Sequence, residues 1–104
     1  MDEDKLLKIV KRKLNITWSD DDTDARINQI IEDAKSEIKD KIGITDQKFD
    51  FVEPSQERKL LLAYCFYEWN HALDEFQINY AEDILQARER WEVASLAEEQ
   101  TDNV

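Results

Sequence analysis

Residues that interrupt regular structure are almost missing from this chain of 104 residues, which contains one glycine and one proline. β-Sandwiches and barrels need turn-forming residues every 8 to 12 positions or so, and this sequence cannot supply them. Cysteine and histidine also occur once each, which excludes a disulfide framework and a Cys/His metal cluster. A glycine-rich phosphate-binding loop is excluded on the same grounds. The remaining interpretation is one domain built from long helices.

Catalytic arrangements are equally scarce. A serine or cysteine nucleophile would have to use His71, and Cys65 lies six residues before it, on a different face of one helix. Acidic pairs are abundant, but they discriminate nothing without a cleft that perturbs their pKa values. The acidic stretch 20–24 lacks the spaced ligands, central glycine and closing glutamate of a calcium loop. We therefore expect no enzyme activity, no metal and no cofactor, and we expect Cys65 to be a buried structural thiol.

Negative charge dominates the composition of the chain. The chain has 25 acidic and 14 basic residues, which gives a formal net charge of −11 at pH 7. Proteins bind phosphate backbones by neutralising them with Lys and Arg, so direct nucleic-acid binding is disfavoured. The charge fits either simple solubility or a surface that lies near DNA without adhering to it. Met1 is followed by three acidic residues, unlike the start of a signal peptide, so we expect a cytosolic protein.

A run from Leu60 to Trp69 is apolar on every side of a helical wheel, with Glu68 as its one charge. Such a helix must be wrapped by its neighbours, so it is predicted to be the central helix of the domain. The run is far shorter than the roughly 20 residues that a bilayer span requires, and no membrane association is expected. Pro54 suits the first helical position, so the predicted helix runs from Pro54 to about Leu73. Within it, Phe66→Ala is expected to cost about 3 to 5 kcal/mol.

Two amphipathic helices are predicted before the central one. The first spans Lys5 to Leu14, and its polar side carries a basic cluster that fits either a solvated face or a patch for an acidic partner: Lys8, Lys11, Arg12 and Lys13. Isoleucines spaced by three and four residues predict the second helix over Ala25 to Ile42. The aspartates at 20–24 would start this helix, and Gly43 would end it as a left-handed C-cap.

The rest of the chain is predicted to form a long connection and a fourth helix. In the segment 44–53 the aromatic side chains either tuck over the end of the bundle or form an exposed patch for a partner. After a break at 74–78, Asn79-Tyr80-Ala81-Glu82 is typical of a capping box. The helix that follows is expected to face the core with Tyr80, Ile84, Leu85, Arg88 and Trp91. The predicted fold is an all-α four-helix domain over residues 1–97, with a polar, flexible tail at 98–104.

Several stretches resemble the head–tail connector proteins of long-tailed bacteriophages, also called head-completion or DNA-packaging adaptor proteins. The matching stretches in the first half are residues 7–16, the acidic start at 20–24 of the Ile-rich helix, and its end Lys41-Ile42-Gly43. In the second half they are Tyr67-Glu68-Trp69-Asn70, Phe76, Asn79-Tyr80-Ala81 and Leu85-Gln86-Ala87-Arg88. The resemblance implies a structural protein of virion assembly in which no residue does chemistry.

The resemblance also implies partners and a place. Such proteins form a ring, typically of twelve subunits, beneath the portal protein, where they extend the DNA channel and receive the next head-completion or tail protein. DNA would pass through an acidic channel without specific binding. The protein of a phage or prophage would assemble in the host bacterial cytoplasm and end at the head–tail junction of the virion.

A head-to-tail interface that closes into a ring needs two different patches on each subunit. The candidates from the sequence are Trp18, Phe49, Phe51, Trp91 and Leu96. Each of these apolar residues is equally explicable as part of the core.

Two other functions fit parts of the pattern. An acidic helical regulator or DNA mimic would use the negative charge to occupy a basic site on another protein. An acidic four-helix domain with one helical histidine also resembles a histidine phosphotransfer domain. Those domains usually carry a Lys and a Gly after the histidine, whereas His71 is followed by Ala-Leu-Asp-Glu. Asp74 and Glu75 would repel a phosphoryl donor.

Overall fold

The computed structural model describes the backbone of residues 2–46 and 48–102, and the side chains of residues 4–46 and 48–94. Within these ranges the chain forms five helices and no strand: α1 (Asp2–Lys13), α2 (Asp21–Ile42), α3 (Gln56–Trp69), α4 (Leu73–Asn79) and α5 (Ala81–Asp102). The all-α prediction is confirmed. The fold has one helix more than expected, because the predicted break at 74–78 is itself the short helix α4.

Helix α3 is the centre of the domain, as its apolar run predicts. It packs on each of the other four helices, and its most extensive contact is with α2. Helices α1 and α4 both pack on α3 but do not contact each other. The largest fully buried side chains come from four of the five helices: Leu6, Val10, Ile27, Ile38, Ile42, Leu60, Leu61, Cys65 and Phe76.

Helix α2 forms as its sequence predicts, with both ends capped. Asp20 precedes the helix in an extended conformation, and its carboxylate accepts a hydrogen bond from the Thr23 backbone N–H at 3.2 Å. The Thr23 hydroxyl and then its backbone N–H lower the pKa of Asp20 below its ordinary value, because they stabilise the charged form. Gly43 follows the last helical residue with φ 83°, in the left-handed region where glycine carries no penalty. The isoleucine stripe is buried along its full length.

Three helices end in the same backbone motif, although only one of them ends at glycine. Asn15 and His71, with φ of 61° and 57°, take the left-handed position after α1 and α3 that Gly43 takes after α2. At α3 the backbone N–H of Ala72 donates to the Tyr67 carbonyl at 2.8 Å, and that of His71 donates to the Glu68 carbonyl at 3.0 Å. These two bonds define a Schellman motif, which stops α3 at Trp69 rather than near Leu73.

The start of α3 also differs from the prediction. Ser55 is the N-cap, and its hydroxyl accepts a hydrogen bond from the Arg58 N–H at 3.0 Å. Pro54 therefore lies before the cap and is not the first helical residue. The predicted capping box at Asn79 is wrong as well, because Asn79 is the last residue of α4 and its side-chain amide donates to the Tyr67 hydroxyl at 3.1 Å.

The core face of α5 is narrower than its sequence predicts. Ala87 is fully buried, and Tyr80, Ile84 and Trp91 pack against the core as expected. Leu85 and Arg88, however, are exposed. The prediction added two residues that lie beside the true stripe and missed Ala87, whose small side chain gives a weak signal in the sequence.

Phe66 of α3 is not a core residue, since 40% of its surface is exposed. Its ring meets the Tyr67 ring edge to face, with 5.7 Å between centroids. The predicted cost of Phe66→Ala is therefore too high, because a half-exposed ring loses only part of its transfer free energy. About 1 to 2 kcal/mol is the expected value.

Candidate interaction surfaces

Among the residues that the structure describes, no group of three or more His, Cys, Asp or Glu side chains is placed to hold a metal ion. Cys65 is fully buried, and burial followed by the nearby Glu68 charge raises its pKa to about 12. Such a thiol is a poor nucleophile near neutral pH. His71 lies beyond the end of α3 in a left-handed turn, so the expectation of a helical histidine is wrong.

Three of the predicted interface residues form one aromatic cluster at the end of the bundle. The Phe49 ring lies 4.9 Å from the Phe51 ring and 5.6 Å from the Trp91 ring, measured between centroids, and both pairs meet edge to face. Phe51 is only 3% exposed, and Phe49 and Trp91 are half-buried. Of the two states that the sequence left open for this segment, the aromatics adopt the tucked one.

The other two predicted interface residues lie elsewhere. Trp18, in the connection between α1 and α2, is 53% exposed and is separate from the aromatic cluster in the chain and in the ring contacts. Leu96 belongs to the backbone of α5, but its side chain lies outside those that the structure describes. The participation of all five residues in an interface stays a prediction.

A buried carboxylate that the sequence did not single out fixes α5 to α3. Glu57 is 4% exposed, and its Oε1 atom accepts hydrogen bonds from the Trp91 indole N–H at 3.1 Å and from the Arg90 guanidinium. Arg90 is half-exposed, so the ion pair has one partner in the interior and one in water. Two such bonds offset the cost of burying the Glu57 charge. A lone Glu at the start of an apolar helix gives no signal of this role in the sequence.

Large apolar side chains that the sequence placed in the core, or did not assign, lie on the surface. Besides Phe66, they are Ile78 at 77% exposure on α4, and Leu85 and Val93 on α5. Scattered exposed apolar residues are ordinary on a monomer. Here three of the four belong to the last two helices, where the packing of α5 on the core is sparse.

The charges of the molecule are distributed unevenly. Lys8, Arg12 and Lys13 on α1 are exposed and form no ion pair among the described side chains, whereas Lys11 pairs with Asp24 at 2.8 Å. From Leu60 to Ala87 the sequence contains no Lys or Arg. That segment carries Glu68, Asp74, Glu75, Glu82 and Asp83. The net charge of −11 is therefore spread over segments of different local charge.

A shallow groove of about 570 Å³ separates the end of α2 from α5. Its lining includes Gly43, Asp46, Arg88, Trp91 and Glu92. The charges of these residues are mixed in sign, and the groove has no set of convergent acid, base and nucleophile groups. It exposes one edge of the Trp91 ring to solvent.

None of the described helices combines the length and the apolar character needed to cross a membrane. No curated protein and no solved structure matches the chain. One family model does match, over residues 4–89, and its description is phage gp6-like head-tail connector protein. This range begins in α1 and ends within α5, so it includes α2, α3 and α4 completely.

Proposed function

Because the chain belongs to the phage gp6-like head–tail connector family, we propose that it forms a closed ring on the portal protein and extends the DNA channel toward the tail. The family is structural rather than enzymatic, and its members associate with portal and tail components. The observation that carries the proposal is the family match over residues 4–89, which covers the whole helical core. The number of subunits in the ring, the order of assembly and a role in DNA packaging are all parts of this proposal.

The charge of the chain supports a place beside moving DNA. A net charge of −11 leaves few free cations to neutralise phosphates, so DNA can pass such a surface without being held. A channel that bound DNA through many Lys and Arg contacts would slow its passage. In this proposal the protein assembles in the cytoplasm of the host bacterium, with a phage or prophage as its source, and then occupies the head–tail junction of the virion.

Negative-stain imaging tests this function directly. The purified protein is imaged alone, and then after mixing with the portal ring of the same phage or prophage. The expected result is an additional layer of density, with the symmetry of the portal, in the mixture. A bare portal beside a monomeric protein would refute the connector function for this chain.

One observation favours a second candidate, an acidic regulator that mimics DNA. The segment from Leu60 to Ala87 carries five carboxylates and no Lys or Arg of its own. A basic DNA-binding protein could recognise such a surface. A one-to-one complex that double-stranded DNA displaces, formed by a protein that leaves the portal bare, would favour this candidate over the connector.

A further inference from the structure

Two exposed faces of opposite charge lie on different helices. The basic face consists of Lys8, Arg12 and Lys13 on α1 together with Phe66 on α3. The acidic face consists of Asp74, Glu75 and Ile78 on α4 together with Glu82 and Leu85 on α5. Helices α1 and α4 both pack on α3 without contacting each other, and no ion pair joins the two faces among the described side chains.

The basic face combines cations with an aromatic surface. The Lys13 ammonium lies 5.9 Å from the centroid of the Phe66 ring, so the end of α1 borders the exposed part of that ring. None of Lys8, Arg12 and Lys13 has an ion-pair partner among the described side chains. The face thus offers an apolar centre with unpaired positive charge at its edge.

The acidic face has the complementary composition. Ile78 is the most exposed large apolar residue that the structure describes, and Leu85 is 55% exposed. Asp74, Glu75 and Glu82 flank them in sequence, and none of the three has an ion-pair partner among the described side chains. Because no Lys or Arg occurs between Lys59 and Arg88, no basic residue of this segment neutralises them.

We propose that the acidic face of one copy docks on the basic face of the next copy. This inference rests on the proposed function and deepens it, because it names the contact between adjacent subunits of the ring. Ile78 and Leu85 would bury against Phe66, and the charges would pair around them. An apolar centre with a polar rim is the usual anatomy of a protein interface.

Net charge selects this orientation over others. Two copies that each carry −11 repel one another at long range. Contact between two acidic faces or two basic faces would add repulsion between like charges, which costs several kcal/mol in an interface. Contact between the acidic face of one copy and the basic face of another joins opposite charges instead. Such a contact uses two different patches on each copy, and it closes into a ring when the rotation between copies permits.

Charge reversal on each face tests the proposal. One variant carries Arg12→Glu and Lys13→Glu, and the other carries Asp74→Lys and Glu75→Lys. Assembly is measured by sedimentation velocity at low and high salt, for the protein alone and with the portal ring. Each variant alone is expected to need about tenfold more protein, or greater, for assembly, since like charges then meet at the contact.

An equal mixture of the two variants is the decisive sample. One variant has two acidic faces and the other has two basic faces, so they can alternate around an even-numbered ring and restore assembly. Recovery in the mixture also shows that both variants fold. The control matched to Asp74→Lys with Glu75→Lys is Glu37→Lys with Asp40→Lys, which makes the same charge change at two exposed positions of α2 and should assemble as the wild type does.

Ile78→Ala gives a second test that leaves the charge unchanged. It should weaken assembly at high salt as well as at low salt, because the apolar centre is not screened.

The outcomes separate the interface from the function. Failure of each variant alone with recovery in the mixture supports the proposed contact. Assembly of both variants at wild-type concentrations overturns the contact and leaves the connector function intact. A wild-type protein that neither self-associates nor binds the portal refutes the connector function first, and the proposed contact with it.

Discussion

Helices α2 and α5 have the same length, 22 residues, but they are held in the molecule in opposite ways. Helix α2 buries an uninterrupted stripe of six residues: Ile27, Ile30, Ile31, Ala34, Ile38 and Ile42. Among its described side chains, α5 buries only Ala87 completely and leaves Leu85 and Val93 in solvent. Among the described side chains, its attachment consists of Ala87, the partly buried Ile84 and Trp91, and the hydrogen bonds that Trp91 and Arg90 donate to Glu57.

Helix α2 thus contributes a large part of the hydrophobic core, whereas the described part of α5 packs on the core and contributes little to it. A continuous buried stripe distributes stability over many side chains, so each is expensive to truncate. A helix attached at a few positions leaves most of its surface free for other contacts. In a subunit of a larger assembly, α5 is therefore the helix whose apolar residues are available to a neighbour.

The largest expected effect comes from truncating the stripe of α2. Ile38→Ala should lower the free energy of unfolding by about 2 to 5 kcal/mol, because Ile38 is fully buried and the cavity cannot be refilled by water. Leu85→Ala, the matched change on α5, should alter it by less than about 0.5 kcal/mol. Urea unfolding followed by circular dichroism measures both. Equal losses at the two positions would contradict the contrast between the helices.

The next effect concerns the attachment of α5. Glu57→Ala should cost about 2 to 3 kcal/mol, because it removes two hydrogen bonds to a charged group from the interface of α3 and α5. Hydrogen exchange of the α5 amides should accelerate more than that of the α2 amides. Glu92→Ala removes an exposed carboxylate whose pairing with Arg88 spans 3.7 Å, and it should be nearly neutral. Uniform acceleration across both helices would show that Glu57 supports the whole domain instead.

Helix ends give a smaller and sign-dependent effect. Gly43→Ala should destabilise by about 1 kcal/mol, since an added Cβ has free space but the left-handed backbone is unfavourable for alanine. His71→Gly, in the same motif after α3, should stabilise by up to about 1 kcal/mol. The midpoint of thermal unfolding measures both changes. Stabilisation by Gly43→Ala, or destabilisation by His71→Gly, would mean that side-chain contacts outweigh the backbone preference.

The smallest effect is the pH dependence of the α2 cap. The folded-state pKa of Asp20 lies below its ordinary value of 3.8, so the charged cap stabilises the protein above that pH. This stabilisation is lost as the pH falls through the lower, folded-state value. The wild type should exceed Asp20→Asn in stability at neutral pH, and the difference should shrink on acidification below about 4. A difference that grows on acidification would contradict the lowered pKa.

The sequence predicts the parts of the fold that have local signals and misses those that depend on tertiary contacts. Helix α2 could be predicted with its caps because a strict isoleucine period and a glycine are local signals. The end of α3 could not, because His71 adopts the left-handed conformation that sequence patterns assign to glycine. Helix α4 escaped prediction because it is anchored by tertiary contacts of one residue, Phe76, which packs on Tyr64 and Tyr80.

The residues of the candidate surfaces also differ in how well the sequence predicts their exposure. The sequence left Trp18 open between an interface and the core, and the structure exposes it. The exposure of Phe66, Ile78 and Leu85 could not be predicted, because an apolar residue at helical spacing favours a core position. The Glu57 contacts join residues more than thirty positions apart, and no local pattern signals them.

The buried thiol of Cys65 is a chemical probe of how often the central helix opens. It is the single cysteine of the chain and is fully enclosed in α3, and its raised pKa keeps it protonated. A thiol reagent can therefore modify it only during moments when α3 separates from its neighbours. The rate of modification would record how often the central helix opens. If subunits assemble as proposed, the contacts between them should slow the modification of Cys65 relative to the free subunit.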